Sequence, residues 1–144
     1  MKIFRRRKTD RGFTIVELLV VIVIISLLAV FVAPKMLTKV GRAKRDLAAP
    51  QIALVEGAVQ AFALNCDRLP VSLDELLVMP SDLEGTNKWS GPYLKRKQII
   101  DPWGNEFYYY AEGIINPGSF DIISLGADGI EGGEGDNADI YNDE

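Results

Sequence analysis

The 144-residue chain has no histidine and a single cysteine, Cys66. The first absence removes the commonest general base and the commonest zinc ligand. With one thiol, neither a Cys/His zinc set nor a Ser-His or Cys-His nucleophile can be assembled, and no disulfide can close within the chain. Cys66 reads as a small buried apolar residue at a helix end. Basic residues also run out, since none follows Lys97 while acids continue to Glu144. That acidic second half disfavours nucleic-acid binding. The expected class is therefore not an enzyme, and a metal-dependent hydrolase built on Asp residues is the only catalytic form left to weigh.

Against these absences stands one long apolar run. Phe13 to Ala33 is 21 residues with one charge, Glu17; at about 1.5 Å per residue it spans roughly 30 Å, the thickness of a bilayer's hydrocarbon core. A carboxylate at membrane depth costs on the order of several kcal/mol unless paired or protonated, so Glu17 needs a partner. Upstream lies a short leader, residues 1–12, with Lys2, Arg5, Arg6, Arg7, Lys8 and Arg11. It is net +5, so the −4 of the whole chain becomes −9 without it. A secretory signal would be cut behind small residues after its apolar region; here the flexible Arg11-Gly12 comes first. Lys35, Lys39, Arg42, Lys44 and Arg45 follow the span, so charge counting favours a cytoplasmic N-terminus only narrowly.

Pro34 can bend or end the helix, yet helical spacing continues through Leu37, Val40, Lys44 and Leu47, and a second stripe follows at Ile52, Val55, Val59 and Phe62. One long helix to about Asn65 is expected, with Gly41 and Pro50 as possible kinks and the second stripe as its packing face. Asp67-Arg68-Leu69-Pro70 reads as a turn, and Ser72 with Glu75 has capping-box spacing ahead of a short helix that Pro80 stops. Trp89 and Tyr93 are expected to cover the core. Asp101-Pro102-Trp103-Gly104-Asn105 has the residues of a tight turn. The runs Phe107–Tyr110 and Phe120–Ser124 suit an antiparallel hairpin packed on the helix.

The last informative stretch, Ser124 to Ile140, carries Asp128, Asp136 and Asp139, the amide of Asn137 and five glycines. Hard cations such as calcium take carboxylate, amide and main-chain oxygens from a backbone that can fold around them. The Asp-x-Asp-x-Asp-Gly order of an EF-hand is missing. Composition alone leaves a calcium site and a disordered acidic tail equally open.

Arg11-Gly12-Phe13-Thr14-Ile15-Val16-Glu17-Leu18-Leu19-Val20 resembles the class III signal of type IV pilins and pseudopilins. Asp67-Arg68-Leu69-Pro70, Asp101-Pro102-Trp103-Gly104-Asn105-Glu106-Phe107, Ser124-Leu125-Gly126-Ala127-Asp128-Gly129, Gly132-Gly133-Glu134 and Ala138-Asp139-Ile140, in this order, resemble the major (G-type) pseudopilins of type II secretion systems. The resemblance implies an α+β, type IV pilin-like fold: a long N-terminal helix, its first half transmembrane, on a small antiparallel sheet with a C-terminal calcium-binding loop. It implies a cytoplasmic leader 1–12, a membrane and filament-core helix 13–33 and a periplasmic domain 34–144.

The same resemblance implies residue roles. A prepilin peptidase would cut between Gly12 and Phe13 and methylate the new amine of Phe13. Glu17 would meet the N-terminal amine of a neighbouring subunit during assembly. Calcium would be held by Asp128 and Asp139 first, with the Leu125 carbonyl and the side chains of Asp136 or Asn137 as additions. The implied role is a structural subunit that starts as a single-pass inner-membrane protein among lipids. Copies would polymerise with minor pseudopilins on an inner-membrane assembly platform into a periplasmic pseudopilus that drives export through an outer-membrane secretin. Two alternatives are a type IV or competence pilin, against which the single Cys argues because those commonly carry a paired-Cys loop, and a membrane-tethered calcium-binding module that never polymerises. Pro50, and a C-terminus without the aromatic tail many members carry, depart from the family pattern.

Overall fold

The computed structural model describes residues 12–142, with positions 33–38 described by backbone alone. Expectations for the leader 1–11, for the side chains of Pro34, Lys35 and Leu37, and for Asp143 and Glu144 lie outside the described residues. The elements are a helix α1 (Ile15–Cys66), strands β1 (Tyr108–Tyr110), β2 (Asp121–Ser124) and β3 (Ile140–Tyr141), and short 3-10 turns between them. The 52-residue α1 continues through positions 34 and 50. Pro50 cannot donate to the carbonyl of Asp46, and both residues lie on the exposed face, where water can take the place of the lost bond. Along α1 the chain divides into two compact units between Thr38 and Lys39.

In the first unit, every described side chain from Gly12 to Val32 is exposed. Ile15–Val32 is long and apolar enough to cross a membrane. A helix that is apolar all round belongs in lipid or among other helices rather than in water.

The second unit has a core. Ala48, Ile52, Val55, Val59, Phe62 and Cys66 recur every three or four residues along α1 and are buried, so the expected stripe is the packing face. The stripe through Val40 and Leu47 is not, because both are exposed. Leu73, Leu76, Leu83, Leu94, Ile99, Phe107, Phe120, Ile122 and Ile140 complete the same cluster, with Trp89 and Tyr93 packed at its edge. β1 and β2 pair antiparallel with Tyr109 opposite Ile122, as the hairpin reading requires. The sheet has a third strand that the loop reading of the C-terminal stretch did not anticipate: β3 pairs antiparallel with β2, Ser124 opposite Ile140.

Polar groups fix the connections. The expected capping box at Ser72 is not made: residues Leu73–Leu76 form a 3-10 turn without a side-chain cap. The Glu75 carboxylate instead accepts from the Val71 N–H (3.1 Å) and from Arg68 (2.7 Å). Arg68 also reaches Asp82 (2.9 Å) and lies over the Phe62 ring. A charged pair drew the carboxylate away from the helix end. The tight turn at Asp101 does form. Its buried carboxylate accepts the N–H groups of Trp103, Gly104 and Asn105 through Oδ1 and the Ser124 hydroxyl (2.7 Å) through Oδ2. This ties the turn to the end of β2, where the acidic loop begins.

Candidate functional site

The start of α1 and the loop between β2 and β3 hold the residues singled out from the sequence. Gly12, Phe13 and Thr14 precede the first helical residue, Ile15. The Thr14 hydroxyl accepts the Glu17 N–H at 3.1 Å, and its carbonyl accepts the Leu18 N–H at 3.1 Å. Thr14 thus caps the helix and leaves Gly12-Phe13 outside it as an exposed, non-helical dipeptide. Glu17 is exposed in the first turn, near the positive end of the helix dipole. Beyond it the span offers one more polar side chain, Ser26, which donates back to the Ile22 carbonyl (2.7 Å) and so needs no outside partner.

The loop leaves β2 at Leu125, which is half-buried, and returns at Asp139, directly before β3. Asp128 is exposed, and its Oδ1 accepts the Ile130 N–H at 3.2 Å. Asp139 Oδ2 accepts from the Gly132 N–H (2.8 Å) and the Tyr141 hydroxyl (3.1 Å). Its Oδ1 is buried with no hydrogen-bond partner. Asp136 is half-buried within a 3-10 turn, Gly135–Asn137, and Asn137 is exposed. Gly126 (φ +66°) and Gly133 (φ +90°) let the loop close on itself: a Cβ on either would come within 2.8 Å or 2.7 Å of the Asn137 main chain.

Among the described residues no three carboxylate, Cys or His groups gather into a metal-binding set. Asp128, Asp136 and Asp139 are therefore not focused on one point by their side chains. A cation here would take a mixed set of carboxylate and main-chain oxygens. The orphaned Oδ1 of Asp139 fits such a role, because a buried carboxylate oxygen without a donor costs free energy that a cation would relieve. Asp139 and Leu125 line one cleft of about 370 Å³. Glu131 lines it too, a residue the sequence reading passed over because it sits in an unremarkable Glu-Gly run. The cleft's other walls include Tyr108, Tyr110 and Ile123 of the sheet and Ile114 and Ile115 of the hairpin loop.

A second carboxylate node holds the neighbouring hairpin loop. Burial alone would raise the Asp121 pKa. The N–H groups of Ile115, Asn116 and Ile114 and the Asn116 amide outweigh it and hold the carboxyl below its ordinary value. Asn142 joins this node to β3 by accepting from Asn116 (3.2 Å) and the Ile122 N–H (3.0 Å).

Residues 35–143 match the family described as type II secretion system (T2SS), protein G. Residues 7–33 match the prokaryotic N-terminal methylation motif. A Vibrio cholerae relative named type II secretion system core protein G is 38% identical over 141 residues, 96% of this chain and 94% of its own. Relatives of the same name from Pseudomonas aeruginosa (35% identical; 95% of this chain, 97% of theirs) and Xanthomonas campestris pv. campestris (36%; 93% and 90%) are similarly extensive.

Proposed function

The chain belongs to the type II secretion system protein G family, and from that membership we propose that it is the structural subunit of a pseudopilus, cut from its leader and polymerised through α1. The observation that carries the reading is the first unit: a helix exposed and apolar all round, with one carboxylate in its first turn. Two environments suit such a helix, lipid before assembly and neighbouring copies after it. Neither a type IV or competence pilin nor a tethered module is favoured over this reading by the relatives.

A prepilin peptidase cuts between Gly12 and Phe13, where the exposed, non-helical dipeptide precedes the cap at Thr14, and methylates the freed amine of Phe13. The cut creates a cation at the end of an apolar helix. Glu17 of one copy pairs with that cation on the next, which offsets most of the carboxylate's desolvation cost. The leader stays cytoplasmic, and the second unit lies in the periplasm. Glu17→Ala should still insert and be processed but yield no filaments in cross-linking of Cys variants along Leu18–Val30; normal ladders from that variant would overturn the pairing.

For the acidic loop we propose a calcium site, in which the ion would neutralise carboxylates that otherwise repel one another. Asp139 Oδ1 and Asp128, the Leu125 carbonyl, and Asp136 or Asn137 would hold it. The melting temperature of the chain should fall on chelation, and Asp139→Ala should abolish that response. A wild-type chain indifferent to chelator would leave the loop as an acidic surface segment.

A further inference from the structure

The loop does not hang free of the helix. The Arg45 guanidinium donates to the Gly135 carbonyl, and the Asp136 carboxylate rests against α1 at Gly41. All three of its terminal atoms occupy the space that a Cβ at position 41 would take. Any residue but glycine there must expel the carboxylate. The Asp136 backbone has little freedom to follow, because its carbonyl accepts the Ala127 N–H at 2.9 Å and Asn137 is wedged against Gly126 and Gly133. A glycine inside a helix is otherwise unfavourable, being a poorer helix former than alanine. Its presence beneath a carboxylate gives it a purpose.

We infer that Gly41 and Arg45 form a seat on α1 for the Gly135-Asp136 turn, so that the acidic loop's order and its cation affinity depend on a helix position far away in sequence. Gly41 supplies the space and Arg45 a charged donor to the rim. The seat rests on the calcium reading for its effect on affinity but not for its effect on loop order. Coupling of this kind is reciprocal: whatever orders the loop also restrains α1 at Gly41–Arg45.

The test is a double-mutant cycle on the full-length chain in detergent micelles, with Gly41→Ala, Asp136→Ala and the pair. Amide exchange at Ala127 and Ala138 and titration with calcium chloride are the readouts, and far-UV circular dichroism monitors helix content. On helix propensity alone Gly41→Ala would leave the loop untouched and raise helix stability. The seat instead requires exchange at both amides to quicken and calcium affinity to fall, each by about fivefold, the scale of coupling between groups in direct contact. It also requires that Gly41→Ala add nothing on the Asp136→Ala background. Unchanged exchange in Gly41→Ala, or a quickening that persists in the double variant, would overturn the seat. If calcium chloride and chelator leave wild-type exchange alike, the calcium site falls, and the exchange cycle in chelator still decides the seat.

Discussion

The two halves of α1 obey different rules although they are one helix. From Gly12 to Val32 every described side chain is exposed, and nearly all are apolar. From Lys39 to Cys66 one apolar stripe, running from Ala48 to Cys66, is covered, while Val40, Leu47, Leu54 and Leu64 lie off it and stay exposed. The second half is stabilised within its own chain, by burial worth about 1.5–3 kcal/mol for each large side chain. Among its described residues the first half makes no such core contacts, and on the function proposed above it takes its stability from lipid or from other copies. On that proposal stability and assembly become separable properties, each belonging to one stretch of the same helix.

Substitution at the core of the second unit sharpens this most. Phe62 is fully buried, meets Tyr93 edge-on at 5.7 Å between ring centroids and lies beneath Arg68. Phe62→Ala should cost about 3–5 kcal/mol, measured by denaturant unfolding in micelles. Leu27→Ala, in the exposed half, should leave that unfolding transition where it is. Equal losses from the two would break the comparison, because the halves would then fold as one cooperative body.

A smaller effect is expected where the end of α1 meets the loops. Arg68 bridges Glu75 and Asp82 while its guanidinium lies over the Phe62 ring. Arg68→Ala would leave Glu75, the less exposed of the two acids, with only the Val71 N–H. The cost should be about 1.5–3 kcal/mol. Arg68→Lys should recover little of it, since a point charge cannot serve two carboxylates as a planar fork does. A full recovery with lysine would mean that charge alone, without the fork, holds this corner.

Periodicity made the helix legible. The 3.6-residue spacing of Ile52, Val55, Val59 and Phe62 is a direct imprint of burial, and the aromatic and β-branched runs at Phe107–Tyr110 and Phe120–Ser124 imprint the hairpin equally well. Three features did not show. Val40 and Leu47 keep helical spacing without being buried, because spacing alone does not say which apolar stripe has a core to face. The third strand is two residues long, too short to carry an alternation. The box expected at Ser72 failed for a tertiary reason, the nearness of Arg68 to Glu75. In the acidic loop the sequence exposed the donor chemistry but not the geometry. Asp136 turns toward Gly41, and nothing local in either segment signals that contact.

The smallest effect concerns a group the core tolerates rather than uses. Tyr109 packs inward from β1 near Phe120, and its hydroxyl is buried without a hydrogen-bond partner. Burial, helped by the charge of Glu75, raises its pKa from 10.0 to about 12. The folded chain then holds the phenol proton over a window in which the unfolded chain has released it. The contribution is intact below pH 10, declines as the pH climbs toward 12 and levels off above it. Its full extent is on the order of 1–2 kcal/mol once partial exposure is allowed for. Tyr109→Phe removes both the ionisation and the unpaired hydroxyl. Stability at neutral pH should hold or rise by up to about 1 kcal/mol, and the alkaline decline between pH 10 and 12 should flatten relative to wild type. Loss of stability at neutral pH would show that the hydroxyl has a partner after all, whereas any change in filament assembly would mean that the sheet, too, belongs to the assembling surface.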